Sequence, residues 1–218
     1  MDKEAAVLIL SGGMDSTTLL YDIGQKYEVW ALSFIYGQRH VREIQAAEQT
    51  CRKLNVSHEV VKIPNIFIGS SLTDDIPVPH GHYTEESMAL TVVPNRNMIM
   101  LSLAIGYALS NKIYHVFYGA HSGDHAIYAD CRPRFVSAMQ AVATICDQKE
   151  VHLRAPYLFI TKNDIAVIGA QLGVDYSLTW TCYEGGEYPC RKCGACVERS
   201  EAFAFAGMVD PLLEGENK

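Results

Sequence analysis

Six consecutive residues, Ser11, Gly12, Gly13, Met14, Asp15 and Ser16, stand between the apolar run 5–10 and a stretch whose Leu19, Leu20 and Ile23 recur at helical spacing. Two adjacent glycines and two hydroxyls at a helix start make a cradle for an anion, because the first N–H groups of a helix have no partner inside it. The helix dipole adds positive potential at the same place. The cradle contains a carboxylate, Asp15, and no lysine. A Walker-type phosphate loop requires GxxxxGK[ST] and a dinucleotide turn requires GxGxxG; neither spacing is present. A compact, multiply charged group such as pyrophosphate suits this loop. Asp15 repels it unless a cation intervenes or the carboxylate caps the helix, so Mg²⁺ is expected with a nucleotide. The plain alternative is an ordinary turn, with Gly supplying dihedrals and Ser or Asp capping the helix.

A second constellation is Cys182, Cys190, Cys193 and Cys196, spaced C-x7-C-x2-C-x2-C. Four thiolates so close in sequence suit one tetrahedral Zn²⁺, and Gly185, Gly186 and Gly194 supply tight turns. Four sulfur ligands leave no open position, so the site is expected to be structural, folding the C-terminal tail and a strand before it. An iron–sulfur cluster also uses four cysteines; the spacing favours zinc without excluding iron. Cys51, Cys131 and Cys146 read instead as small buried hydrophobes.

The elements that must position these residues alternate between strand and helix. Strands are expected at 5–10, 28–34, 58–63 and 114–118. Helices follow Gly13, the face marked by Val41, Ile44, Cys51 and Leu54, and the ranges 97–110, 133–147 and 162–172. Such alternation argues for an α/β fold, an open parallel sheet with helices on both faces. In such sheets ligands bind beyond the carboxyl ends of the strands, where the glycine turn lies. Two segments break the rhythm: 64–94, a long irregular stretch that reads as a lid, a binding loop or a disordered excursion, and the cysteine-rich 181–200.

The sextet SGGMDS matches the signature SGGxDS, by which the chain resembles the ATP-pyrophosphatase (PP-loop) superfamily. The chain also reads YGQRH at 36–40, VPNRN at 93–97, DCRPRF at 130–135 and TWTCY at 179–183. With the four cysteines, and in this order, these motifs resemble the 7-cyano-7-deazaguanine synthases, nitrile-forming enzymes of queuosine precursor biosynthesis. The resemblance spans about residues 5–199. It implies an adenine nucleotide alpha hydrolase-like (PP-loop) domain over 1–180 and a zinc-binding extension of the same domain over 181–218. It places ATP binding on Leu8, Ile9, Leu10, Ser11, Gly12, Gly13, Met14, Asp15, Ser16, Thr17 and Thr18, and zinc on the four cysteines. The implied reaction turns 7-carboxy-7-deazaguanine, ammonia and Mg-ATP into the 7-cyano compound, in a homodimer. HGHYTEES, after Pro79, aligns with no functional motif and leaves His80 and His82 without a role.

This chemistry needs cations where charge develops. Arg39, Arg96 and Lys162 occupy loop-to-helix junctions near the expected mouth, and with Asp15 the latter two are the catalytic candidates; a solvated surface charge is the plain alternative. A purine-like ring needs stacking faces and a carboxylate for its guanine edge. Tyr36, Asp124, Tyr128, Asp130 and Phe135 are the candidates, set against the commoner fate of an aromatic side chain in a core. His40 and His125 are candidates for taking N–H protons.

Composition bounds the rest. A chain of 218 residues, 49% hydrophobic and 20% charged, reads as one globular domain. Its net charge of −7 offers no bulk basic field for a nucleic acid, which speaks against an RNA thiolase or lysidine-type ligase. An amide synthetase of the NAD type leaves the cysteines unexplained, and a degenerate zinc-ribbon module predicts ATP binding without turnover. No targeting or membrane segment is visible, so a soluble cytoplasmic protein is expected.

Overall fold

In the computed structural model, which describes residues 3–82, 84–126 and 128–213, the apolar runs become parallel strands. These are β1 (Glu4–Ile9), β2 (Tyr27–Ile35), β3 (Ser57–Lys62), β4 (His115–Phe117) and β5 (His152–Arg154). Their order is β3-β2-β1-β4-β5, and every neighbouring pair is parallel. β1 lies at the centre, with Ala6, Val7 and Leu8 wholly buried. A strand covered on both faces needs apolar side chains at successive positions, so it reads as a run and not as an alternation.

Seven helices complete the described residues: α1 (Met14–Ile23), α2 (Arg42–Leu54), α3 (Glu85–Ala89), α4 (Arg96–Ser110), α5 (Pro133–Ile145), α6 (Lys162–Leu172) and α7 (Gly194–Phe205). On one face of the sheet α4 and α5 bring Leu101, Ala104, Val136 and Met139 against Val7, Leu32 and Val116. On the other, α1, α2 and α6 bring Leu19, Leu20, Ala47, Cys51 and Ile165 against Ala6, Leu8 and Ala31. Each large side chain so buried contributes roughly 1.5–3 kcal/mol. The expected open parallel sheet with helices on both faces is therefore the observed one. Among the described residues no helix is long and apolar enough to cross a membrane.

Several local expectations need correction. Val41 does not share the buried face of α2; it is the N-cap residue and is exposed. Cys146 is exposed at the end of α5, whereas Cys51 and Cys131 are buried. Among the described residues no strand directly precedes the cysteines: Tyr176–Leu178 is a short 3-10 turn. Segment 64–94 packs back on the domain, with Phe67, Leu72, Val78 and Val93 buried and α3 held by a Thr84 capping box. Its middle joins the cysteine segment, where Gly81 N donates to Lys192 O at 2.6 Å.

The C-terminal part is tied down by a buried ion pair. Arg199 donates to both oxygens of Asp210, Nε to Oδ2 at 2.7 Å and Nη2 to Oδ1 at 2.9 Å, and Nη1 donates to Thr179 Oγ1 at 2.7 Å. Removing one partner leaves a buried charge without compensation. Asp210→Ala is therefore expected to cost about 3–5 kcal/mol, read as a lowered midpoint in denaturant at unchanged slope. A loss below about 1 kcal/mol, the range of exposed pairs, would contradict this.

Candidate active site

The strand order reverses at β1 and β4, and a crevice opens beyond their carboxyl ends, where such sheets take their ligands. A cavity of about 260 Å³ occupies it. Its floor is the glycine loop. Gly12 has φ +89°, and a Cβ there would lie 2.0 Å from Glu43 O and 3.0 Å from Ala47 N. Gly12 is thus the point where the loop meets the start of α2. Gly13 is the N-cap of α1 and offers no side chain to the helix's first N–H groups. Ser11 Oγ and Ser16 Oγ stand 2.9 Å apart across the loop. The turn has the donors that an anion needs. Gly12→Ala is expected to cost about 1–3 kcal/mol and to prise the loop from α2, seen as loss of ATP-analogue binding in calorimetry. Undiminished binding would contradict this packing.

Beside the loop lies a cluster of opposite charges. Lys162 Nζ is 2.7 Å from Glu198 Oε2 and 3.7 Å from Asp15 Oδ2. Lys162 opens α6, the end at which a helix dipole disfavours a cation. Burial also opposes its charge, yet Asp15, Glu198 and Asp124 outweigh burial and hold the ammonium above the ordinary lysine pKa. His121 is buried, with Nε2 3.8 Å from Asp15 Oδ2 and 3.7 Å from Asp124 Oδ2. Its Nδ1 accepts from Gly123 N at 3.1 Å, which leaves Nε2 to face the two carboxylates. Asp15 Oδ1 is buried without a partner. An orphaned carboxylate oxygen beside an uncapped helix start fits a divalent cation carrying phosphates.

A further part of the lining is built on α4 and the start of α2. Arg96 Nη1 donates to Tyr36 OH at 3.1 Å, and its guanidinium lies 5.6 Å from that ring's centroid. Burial opposes the Arg96 charge, and Tyr36, Tyr183 and Asp130 more than offset it. Glu43 also lines the cavity. Burial raises its carboxyl to about 7, against the pull of Arg96 and with a contribution from the Cys182 sulfur. Tyr118, at the end of β4, turns a buried hydroxyl without a partner toward this region.

The cysteine cluster adjoins the same cavity. The ligand atoms of Cys182, Cys190, Cys193 and Cys196 lie within 4.8 Å of one another, and Cys190 Sγ is 4.0 Å from Cys196 Sγ. Four sulfurs about 2.3 Å from one ion have tetrahedral edges of about 3.8 Å, so the cluster fits a single metal ion. Backbone N–H groups of Cys190 and Cys193 donate to Cys182 Sγ and Cys190 Sγ, both at 3.2 Å. From this knot Trp180 N donates to Gly12 O at 2.9 Å, Arg42 stacks on Trp180 at 5.0 Å, and Glu198 on α7 reaches Lys162. Trp180, Thr181 and Tyr183 form part of the cavity wall.

Most residues singled out by the sequence meet here. From 8–18, Ile9, Leu10, Ser11, Gly13, Met14, Asp15 and Ser16 line the cavity. Leu8, Gly12, Thr17 and Thr18 stand behind it, Thr18 Oγ1 bonding Met14 O and Tyr176 OH. Arg96, Lys162, Tyr36, Asp124 and Tyr128 line it too. Arg39 reaches its edge, but Nη1 is engaged with Ile76 O at 2.8 Å, bracing segment 64–94. Asp130 and Phe135 are outside the wall: Asp130 Oδ2 accepts from Asn97 N at 3.0 Å, capping α4, and Phe135 packs on the core. His40 lines the cavity and His125 does not. Sequence reasoning passed over Glu43, Tyr118, His121 and Glu198. His121 follows the carboxyl end of β4, and the rule that ligands sit at strand ends would have found it; Glu198 belongs to a helix that the cysteines masked.

Comparison with known proteins gives a consistent result. The family described as "Queuosine biosynthesis protein QueC" matches residues 5–207. A protein of Methanoregula boonei named 7-cyano-7-deazaguanine synthase is 58% identical over 211 residues, 95% of this chain and 97% of that one. One of Pseudoalteromonas translucida with the same name is 57% identical over 213 residues, 96% of this chain and 98% of that one. Two solved structures share the PP-loop fold. The U34-tRNA thiolase NcsA of Methanococcus maripaludis with its [4Fe-4S] cluster has a TM-score of 0.53 at 15% identity, over 100% of this chain and 69% of that one. The NMN synthetase of Francisella tularensis has a TM-score of 0.53 at 13% identity, over 96% and 80% of the two chains.

Proposed function

The chain belongs to the queuosine biosynthesis protein QueC family, and on that premise we propose that it converts 7-carboxy-7-deazaguanine and ammonia to 7-cyano-7-deazaguanine at the expense of ATP. The observation that carries this reading is the pairing, in one crevice, of an uncapped helix start with the orphaned Asp15 carboxylate and the Lys162 ammonium. Glycine-loop N–H groups and Lys162 hold the phosphates, while Asp15 holds the Mg²⁺ that accompanies them.

The substrate carboxylate is a poor electrophile until its oxygen becomes a leaving group. Attack of that oxygen on the α-phosphorus forms an O–P bond and expels pyrophosphate. Ammonia then forms the C–N bond, AMP departs with the oxygen, and a proton is lost, leaving the amide. The amide oxygen attacks a second α-phosphorus, again expelling pyrophosphate as nitrogen loses a proton. Loss of the last N–H proton and of AMP closes the C≡N bond. Both steps need positioning and charge stabilisation and no protein nucleophile. The Cys131 thiol fits that view: burial pushes its pKa above the ordinary thiol value, so it is held neutral.

Zinc is the proposed metal of the cysteine knot. Sulfurs within 4.8 Å of one another suit one ion, whereas a cubane spreads its four thiolates over separate irons. Zinc here supplies a structural anchor for the cavity wall. The chain is expected to work as a homodimer in the cytoplasm.

The test is mass spectrometry of the purified protein with Mg-ATP, ammonium and 7-carboxy-7-deazaguanine. Amide and then nitrile, with AMP and pyrophosphate, are expected. ATP consumption with another acid alone would reject the substrate.

A further inference from the structure

Three carboxylates line the cavity: Asp15, Asp124 and Glu43. Asp15 and Asp124 belong to the cluster around Lys162 and His121. Glu43 does not. Its side chain makes no hydrogen bond or ion pair with any described residue, though it is partly buried and lies in the electrostatic reach of Arg96. A carboxylate withdrawn from water without donors is costly unless a ligand supplies them. Its backbone cannot retreat, since Glu43 O is in contact with Gly12.

Of the ligands in the proposed reaction, ATP brings phosphates and an adenine edge that pairs one donor with one acceptor. The deazaguanine ring brings an edge of different pattern: O6 accepts, and the adjacent N1–H and 2-amino group both donate. A carboxylate accepts two parallel N–H bonds. A guanidinium beside it has five N–H donors, of which Tyr36 takes one, and can serve O6. The neighbouring Glu43 and Arg96 thus reproduce the complement of a guanine edge.

Resting on the proposed function, we infer that Glu43 is the specificity residue that accepts the N1–H and 2-amino donors of the deazaguanine ring. It therefore fixes the ring at the part of the lining that holds Glu43 and Arg96, with the 7-substituent left for the phosphate side.

The test is calorimetric binding in the presence of Mg²⁺ and α,β-methylene-ATP, which blocks adenylation. Two ligands are compared, 7-carboxy-7-deazaguanine and its analogue lacking the 2-amino group, on wild type and Glu43→Gln. Wild type is expected to bind the parent at least about 10-fold more tightly than the analogue, since a charged acceptor would lose a donor. Glu43→Gln is expected to bind the parent at least about 10-fold more weakly and to distinguish the two ligands less than about 3-fold. Glu43→Asp, which keeps the acceptors on a shorter arm, is expected to keep the discrimination while weakening both ligands, and it serves if the Gln variant does not fold. Discrimination by Glu43→Gln equal to wild type overturns the assignment while the proposed function stands. Unchanged ring binding by Glu43→Gln, with a raised KM for ammonium in separate steady-state turnover with ATP, overturns it as well and puts Glu43 on the nitrogen nucleophile. Wild type that binds neither ligand rejects the proposed function and this assignment together.

Discussion

Asp15→Asn is expected to lower kcat/KM for ATP by at least about 100-fold while leaving fold and metal content intact. Asparagine keeps the shape of the side chain and removes its charge. Lys162 stays anchored by Glu198 at 2.7 Å, so the charge cluster does not collapse. The lost charge in the first turn of α1 costs about 0.3–1 kcal/mol of helix-dipole energy, which shifts the melting temperature little. What disappears is the negative charge that the unpartnered Oδ1 shares, the charge available to a cation. The check is steady-state kinetics over a range of Mg²⁺ concentrations, with calorimetric melting and metal analysis beside it. Wild-type turnover would refute the role of Asp15, and parallel loss of soluble protein and bound metal would make that role structural.

Cys193→Ser is expected to act in the opposite order, on metal and stability first and on turnover as a consequence. Cys193 is the N-cap of α7. Serine is a favoured N-cap residue, so the helix start is preserved and the change isolates the thiolate. Metal binding of about 10–16 kcal/mol in small cysteine sites is folding energy, and a three-sulfur remnant keeps only part of it. The effect reaches the cavity because the knot holds Trp180 on Gly12 O and Glu198 on Lys162. Substoichiometric bound metal, a lowered melting temperature and weakened ATP binding are expected together. Wild-type metal content in this variant would sink the four-sulfur assignment.

The parts of the fold legible in the sequence were those that burial makes monotonous. β1 and β2 are covered on both faces and read as apolar runs, and α6 begins at Lys162 and ends at Leu172 as its spacing predicts. β5 escaped because a three-residue strand, His-Leu-Arg with only Leu153 buried, has no period to detect. α7 escaped because its sequence opens with Gly-Ala-Cys, which reads as metal-site spacing, and buries Arg199 where a helix usually buries an apolar residue.

The site divides in the same way. The glycine loop and the four cysteines are local in sequence, so their chemistry shows in spacing alone. Glu198 reaches Lys162 across 36 positions, and His121 approaches Asp15 only because β4 lies beside β1. Such pairings are products of tertiary packing, of α7 on α6 in the first case and of strand order in the second. Asp130 shows the reverse error: a carboxylate near the expected mouth that caps α4 at Asn97 N.

In the proposed reaction two adenylations carry away both oxygens of the substrate carboxylate. The most direct measurement uses 7-carboxy-7-deazaguanine labelled with ¹⁸O at both carboxylate oxygens, followed by mass spectrometry of every product. One label in each of two AMP molecules per nitrile, and none in pyrophosphate or water, is the predicted result. Label in inorganic phosphate would mean transfer of the terminal phosphoryl group, and label in water would mean an unassisted dehydration; either contradicts the account.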